Sequence, residues 1–157
     1  MGAWGAGVFD NDTACDWGYE LEECKDLSLI ETSIDAVLAC GNSDVGARVA
    51  ERALAAIEVI ARLHGNAGVR NSYTEVVDSW VKKMSRVKAP QKLTDKARTA
   101  VDRILTRPSE ILEVWNDSNL LEQWRSEVLG LKARLVPATN AATADTSNSE
   151  KPWWRFW

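Results

Sequence analysis

The sequence predicts an all-α protein: a single compact domain of six to seven helices, bundle-like, with a flexible C-terminal tail. Three observations carry that prediction. Apolar residues return every three to four positions through most of the chain, the spacing of an amphipathic helix. No stretch alternates apolar and polar residues with the β-branched enrichment of a strand. Gly-Asn pairs, prolines and capping residues cut the periodic stretches into helix lengths. The 157 residues are 45% hydrophobic and 27% charged, with a net charge of -4, as in one globular domain. A chain of this size buries roughly 68–70% of its unfolded surface, so it needs no metal or disulfide staple. The composition excludes collagen-like, fully disordered and polytopic membrane classes. The lack of a fixed repeat argues against a helical solenoid.

Residues 1–10 are Gly-rich and carry Trp4 and Phe9, an ordered loop anchored by its aromatics. Helical pattern starts near Thr13, with Ala14, Trp17, Leu21 and Cys24 as its stripe. Asn11, Asp12 or Thr13 can cap it, and Thr13 with Asp16 resembles a capping box. A second helix carries Ile30, Ile34, Val37 and Leu38 and stops at Gly41-Asn42. Ser43 or Asp44 is expected to cap a third, whose stripe is Val45, Val49, Ala53, Ala56, Ile57 and Ile60 and which ends at Gly65-Asn66. A fourth runs from about Ser72 to Lys88 on Tyr73, Val76, Val77, Trp80, Val81, Met84 and Val87, broken by Pro90. Thr94 is the expected cap of a fifth, with Ala97, Ala100, Val101, Ile104 and Leu105 inward. Pro108 suits the first turn of a short helix holding Ile111, Leu112 and Trp115. The last helix presents Leu121, Trp124, Val128, Leu131 and Leu135.

The domain so defined covers 1–136. Residues 137–150, PATNAATADTSNSE, hold nothing apolar enough to order them by burial. They read as a flexible linker spanning on the order of 20 Å if coil-like. It leads to a Trp-rich motif at 151–157, KPWWRFW. No apolar run reaches a membrane span, and the N-terminus lacks the basic and apolar regions of a secretory signal. Cys15, Cys24 and Cys40 are odd in number and lack CxxC spacing. They read as reduced, buried thiols within helices, in a cytoplasmic protein.

The most specific feature is the block from Gly2 to Trp17: Gly2, Trp4, Gly5, Gly7, Phe9, Asn11, Asp12, Ala14, Asp16 and Trp17 in the pattern GxWGxGxFxNDxAxDW. It resembles the opening of the mainly bacterial domain of unknown function family 4259. The resemblance implies no activity, so the residues are read on their own. As a plug, the glycines permit positive φ and the aromatics fill a groove between helices. As a site, Asp12, Asp16 and Glu20 stand four residues apart on one helix face with Asp10 just before them, carboxylates that could hold Mg²⁺ or Ca²⁺. No EF-hand glycine follows and no histidine joins them, so a solvated acidic face is the stronger reading, and neither metal nor cofactor is expected. The Gly-rich loop also lacks the GxxxxGK[ST] of a phosphate loop.

His64, the sole histidine, falls at a helix C-terminus where the dipole favours a cation. Charge is segregated. Residues 1–40 hold nine acids and one base, and residues 82–107 hold nine bases and two acids. The basic stretch comprises Lys82, Lys83, Arg86, Lys88, Lys92, Lys96, Arg98, Arg103 and Arg107. It invites nucleic acid, but the acidic stretch nearly balances it and either faces it or cancels it at long range. A pI of about 5.1 disfavours a dedicated nucleic-acid binder.

Of the eight Trp, Trp4 and Trp17 belong to the N-terminal block, and Trp80, Trp115 and Trp124 read as core. Trp153, Trp154 and Trp157, with Arg155 and Phe156, read as a short motif for a partner protein, because Trp and Arg are favoured hot-spot residues. Docking on its own domain or at a membrane surface ranks lower. The whole points to a non-enzymatic helical protein acting by protein-protein binding, in one version immunity-like, neutralising a basic toxin. The alternatives are a metal-dependent enzyme on the N-terminal carboxylates and a nucleic-acid binder through 82–107.

Overall fold

A computed structural model of the chain describes residues 3–136, and the backbone alone at 147, 148, 150 and 151. Seven helices form among the described residues: α1 (Asp12–Glu22), α2 (Ser28–Leu38), α3 (Ala47–Leu63), α4 (Glu75–Lys83), α5 (Gln91–Ile104), α6 (Glu110–Asn116) and α7 (Leu121–Ala133). Beyond them, Ser147–Asn148 pairs antiparallel with Glu150–Lys151. The domain is all-α, as its periodicity predicts.

α3 is the axis. It packs on each of the other six helices, and every residue from Ala53 to Arg62 is buried. The sequence predicts a single inward stripe. The alanines at 50, 53, 55, 56 and 61 instead let neighbours approach on all sides, so the helix is enclosed. α1 and α2 are tied by Trp17, whose Nε1 donates to Ser33 Oγ at 2.9 Å. Trp80 of α4 donates to Cys24 O at 2.9 Å. Trp115 of α6 stacks on Trp124 of α7, their rings 6.0 Å apart and 11° from parallel. All four are core residues, and each buried indole N–H that bonds is thereby spared the cost of an unmet donor.

The helix ends follow expectation less closely. Asn11 caps α1, its side-chain oxygen accepting from Ala14 N at 2.8 Å. Thr13 and Asp16 lie inside the helix, so they form no capping box. α3 begins after Gly46, not at Ser43 or Asp44. Val45 pairs in parallel with Ser109, which delivers Glu110 to α3, where its carboxylate accepts from Ala47 N at 2.7 Å. One helix thus caps another, and the negative charge suits a helix N-terminus. α4 is shorter than its apolar pattern: Asn71 Oδ1 accepts from Tyr73 N at 2.9 Å, a local turn that competes with helix. Tyr73 is therefore outside the helix and half-exposed. Pro90 holds the cap position of α5, and Thr94 lies within it, bonding back to Pro90 O. Ser109, not Pro108, precedes α6. Cys15 lies in α1, but Cys24 and Cys40 lie past helix ends, and all three thiols are free and only partly buried.

Candidate functional site

A cleft of about 390 Å³ opens between the Gly-rich N-terminal loop, the second half of α3, the connection 64–74 and α7. Its floor is an ion network that the sequence reading did not single out. Glu58 and Arg62 stand one turn apart on α3, with side chains only 4% and 2% exposed, and form an ion pair. Glu58 also accepts from Arg134, past the end of α7, through both oxygens at 2.7 and 2.9 Å, and from Gly68 N at 3.1 Å. Arg62 Nε donates to Asp78 at 2.7 Å, and Nη2 donates to Val69 O at 2.7 Å. Thr74 donates to the other Asp78 oxygen at 2.8 Å. Two arginines and two carboxylates thus cancel one another. Burial at this depth is tolerable only for charges so fully paired. The hydrogen bonds that Arg134 donates to the Glu58 carboxylate raise the arginine's pKa above the ordinary value, against the lowering effect of burial.

The loop over the floor is built around Asp10. Trp4 N donates to Asp10 O at 2.8 Å, and Ala3 pairs with Asn11, closing the loop on itself. Gly7 N donates to Asp10 Oδ2 at 3.0 Å. A Cβ at Gly5 or Gly7 would meet that same oxygen at 2.6 or 2.7 Å. Positive φ occurs instead at Gly41 and Gly65, which end α2 and α3. Gly5 and Gly7 therefore serve close approach of a carboxylate, which corrects the positive-φ reading at these two positions. Phe9 and Trp17 are buried as a plug requires, but Trp4 is not.

Trp4 instead stands 48% exposed against Tyr73, 49% exposed, with ring centroids 5.0 Å apart. Tyr19 of α1, 60% exposed, completes an aromatic groove with Phe9, Gly18 and Val76. Phe9 lines both this groove and the ion-floored cleft. Asp16 and Glu22 of α1 and Glu23 at its C-terminal cap flank Tyr19 at three- and four-residue spacing, and all are exposed. The chain has no basic residue before Lys25.

The carboxylates proposed for a metal are not brought together. Glu20 is paired with Arg52 at 2.6 Å, Asp10 bends back to Gly7, and Asp12 and Asp16 face solvent. Among the described residues no group of three His, Cys, Asp or Glu side chains is placed to hold a metal ion. Burial, aided by the charges of Asp12, Asp16 and Asp10, pushes the Cys15 thiol up and keeps it protonated. His64 bonds Thr94 Oγ1 at 3.0 Å. Burial and then the charge of Arg98 push its pKa down, so the expected helix-end cation is disfavoured.

The segregated charges meet in part. Lys96 of α5 bonds Glu31 and Asp35 of α2, each at 2.9 Å. Arg103 donates to Gly41 O and Ser43 O, and Arg107 pairs with Glu113. Arg98 bonds Leu135 O and Asp95. Lys82, Lys83, Arg86, Lys88 and Lys92 are exposed around the α4–α5 connection. The aromatic residues Trp153, Trp154, Phe156 and Trp157, with Arg155, lie outside the described residues, as does Gly2.

Fold and site together define a small all-α domain in which a Gly-rich loop roofs a cleft over a buried ion network. The chain belongs to the family described as Domain of unknown function (DUF4259), whose model matches residues 2–127. The match runs far past the N-terminal block and includes Glu58, Arg62 and Asp78, while Arg134 lies beyond it. No curated protein and no solved structure matches the chain. No helix among the described residues is long and apolar enough to cross a membrane.

Proposed function

We propose that this protein is a non-enzymatic binding domain that engages a basic polypeptide through the aromatic groove of Trp4, Tyr73 and Tyr19. The observation that carries this reading is the exposed Trp4–Tyr73 pair beside the acidic face of α1. Trp and Tyr supply large contact area at low entropic cost and dominate protein-protein hot spots. The flanking Asp16, Glu22 and Glu23 would steer a cationic partner and repel an anionic membrane or nucleic acid. An immunity-like role, neutralising a basic protein, fits this chemistry, and three free thiols suit a reducing cytoplasm.

The test is selection of a random dodecapeptide phage library on the immobilised full-length protein. Enrichment of peptides combining Lys or Arg with aromatic residues, lost on Trp4→Ala and Tyr73→Ala, is the expected result. Enrichment unaffected by both substitutions would refute the assignment. Both side chains are half-exposed, so neither variant should impair folding.

A further inference from the structure

From the cleft beside the groove we infer a specificity pocket for one cationic side chain, Lys or Arg, of the bound polypeptide; this rests on the groove being a peptide site. Phe9 is the wall shared by groove and cleft, so the two adjoin and a chain seated on Trp4 and Tyr73 has the cleft beside it. The cleft's about 390 Å³ falls within the range of ligand pockets, roughly 300–1,000 Å³, and exceeds what one side chain needs.

Its charge decides what enters. The floor is neutral, because Arg62 and Arg134 are matched by Glu58 and Asp78. Two carboxylates remain on the walls. Asp10 contributes from the loop, with Oδ2 held by Gly7 N and Oδ1 without a hydrogen bond among the described residues. Glu127 contributes from α7, with neither hydrogen bond nor ion pair among the described residues. Glu127 is near enough to act on the charge of Arg134, yet four carboxylates face two arginines in and under the cleft, so an entering cation meets a net negative charge beside a floor that cannot rearrange without breaking a buried ion pair. An anion meets only arginines already engaged. An ammonium or guanidinium group is therefore selected over a carboxylate or an apolar tip, and the aliphatic stem of Lys or Arg suits the Phe9 wall.

The experiment uses the full chain and a peptide recovered from the dodecapeptide selection, resynthesised with each Lys or Arg in turn replaced by norleucine. Calorimetric titration should show one position whose replacement weakens binding at least tenfold. Glu127→Gln, an exposed and non-disruptive change, should shrink that ratio to about threefold or less, and Asp10→Asn should act in the same direction. Peptides that bind through Trp4 but lose nothing on norleucine replacement, or lose the same in Glu127→Gln, overturn the pocket and leave the groove standing. Failure to enrich any peptide overturns both.

Discussion

Arg134 grips Glu58 across 76 positions of sequence, Nη2 to Oε1 at 2.7 Å and Nη1 to Oε2 at 2.9 Å. The same guanidinium donates to Asn66 O at 2.9 Å, and Asn66 Nδ2 donates back to Arg134 O at 3.1 Å. The end of α7 is thereby fastened to α3 and to the connection that forms the cleft's far wall. The cleft owes its shape to a buried carboxylate that organises three chain segments.

Removing that carboxylate should be costly. Glu58→Ala leaves Arg62, 5% exposed, with one ionic partner fewer in low dielectric, and breaking a buried pair typically costs about 3–5 kcal/mol. Chemical denaturation should show a loss of that order. Arg134→Lys should recover only part of the stability of Arg134→Ala, because a lysine cannot make the two-pronged contact.

The glycines answer to Asp10. Gly7→Ala should destabilise by about 1 kcal/mol, since relieving the clash means giving up the Gly7–Asp10 hydrogen bond. In an Asp10→Ala background the same change should cost clearly less. A double-mutant cycle on urea midpoints measures the coupling, and additivity would refute the role assigned to the carboxylate.

His64 imposes a pH dependence. Its folded pKa lies below the ordinary value, from burial first and Arg98 second, so the unfolded chain takes up a proton before the folded one does. Its contribution is full above about pH 6.5 and is lost as pH falls from there toward the folded pKa. His64→Gln should flatten that part of the stability profile between pH 7.5 and 5.5.

Glu51 acts with the opposite sign. It is 5% exposed, and burial raises its pKa above the ordinary value, opposed by a hydrogen bond from Thr13. The folded state therefore holds this proton more tightly, and stability is lost as pH rises through the folded pKa. Glu51→Gln should stabilise the protein at neutral pH, with a gain that shrinks as pH is lowered toward 4.

Ser109 carries the one buried side-chain oxygen without a partner among the described residues. Ser109→Ala removes that unmet hydroxyl, and thermal unfolding should show no loss or a gain of up to about 1 kcal/mol.

Most of the fold follows from local pattern. The apolar stripes of α1, α2, α5 and α7 recur at helical spacing, and Trp17, Trp80, Trp115 and Trp124 are as buried as their positions imply. The helix ends are less legible in the sequence, because their partners are distant. Glu110 caps α3 from 63 residues away, so a search for a neighbouring Ser or Asp finds the wrong residue. Glu58 and Arg62 did leave a trace in the sequence: two opposite charges one turn apart inside the apolar run LAAIEVIARL. A charged pair there signals an enclosed helix and a buried ion pair, yet nothing local points to Arg134 or Asp78 as its partners.

The identity of the helices and their inward residues lies in the 3.6-residue period of the chain, because burying an apolar stripe is a requirement that each helix carries in its own sequence. The family membership rests on sequence in the same way. Tertiary packing alone decided that α3 is enclosed on every side, that its charges are cancelled by residues from the 64–78 region and from the end of α7, and that Trp4 lies outside the core against Tyr73. Those outcomes depend on which segments meet in space. Ion pairs, caps across helices and clefts are made by such meetings, and the periodicity of one segment carries no information about the side chains that another will bring to it.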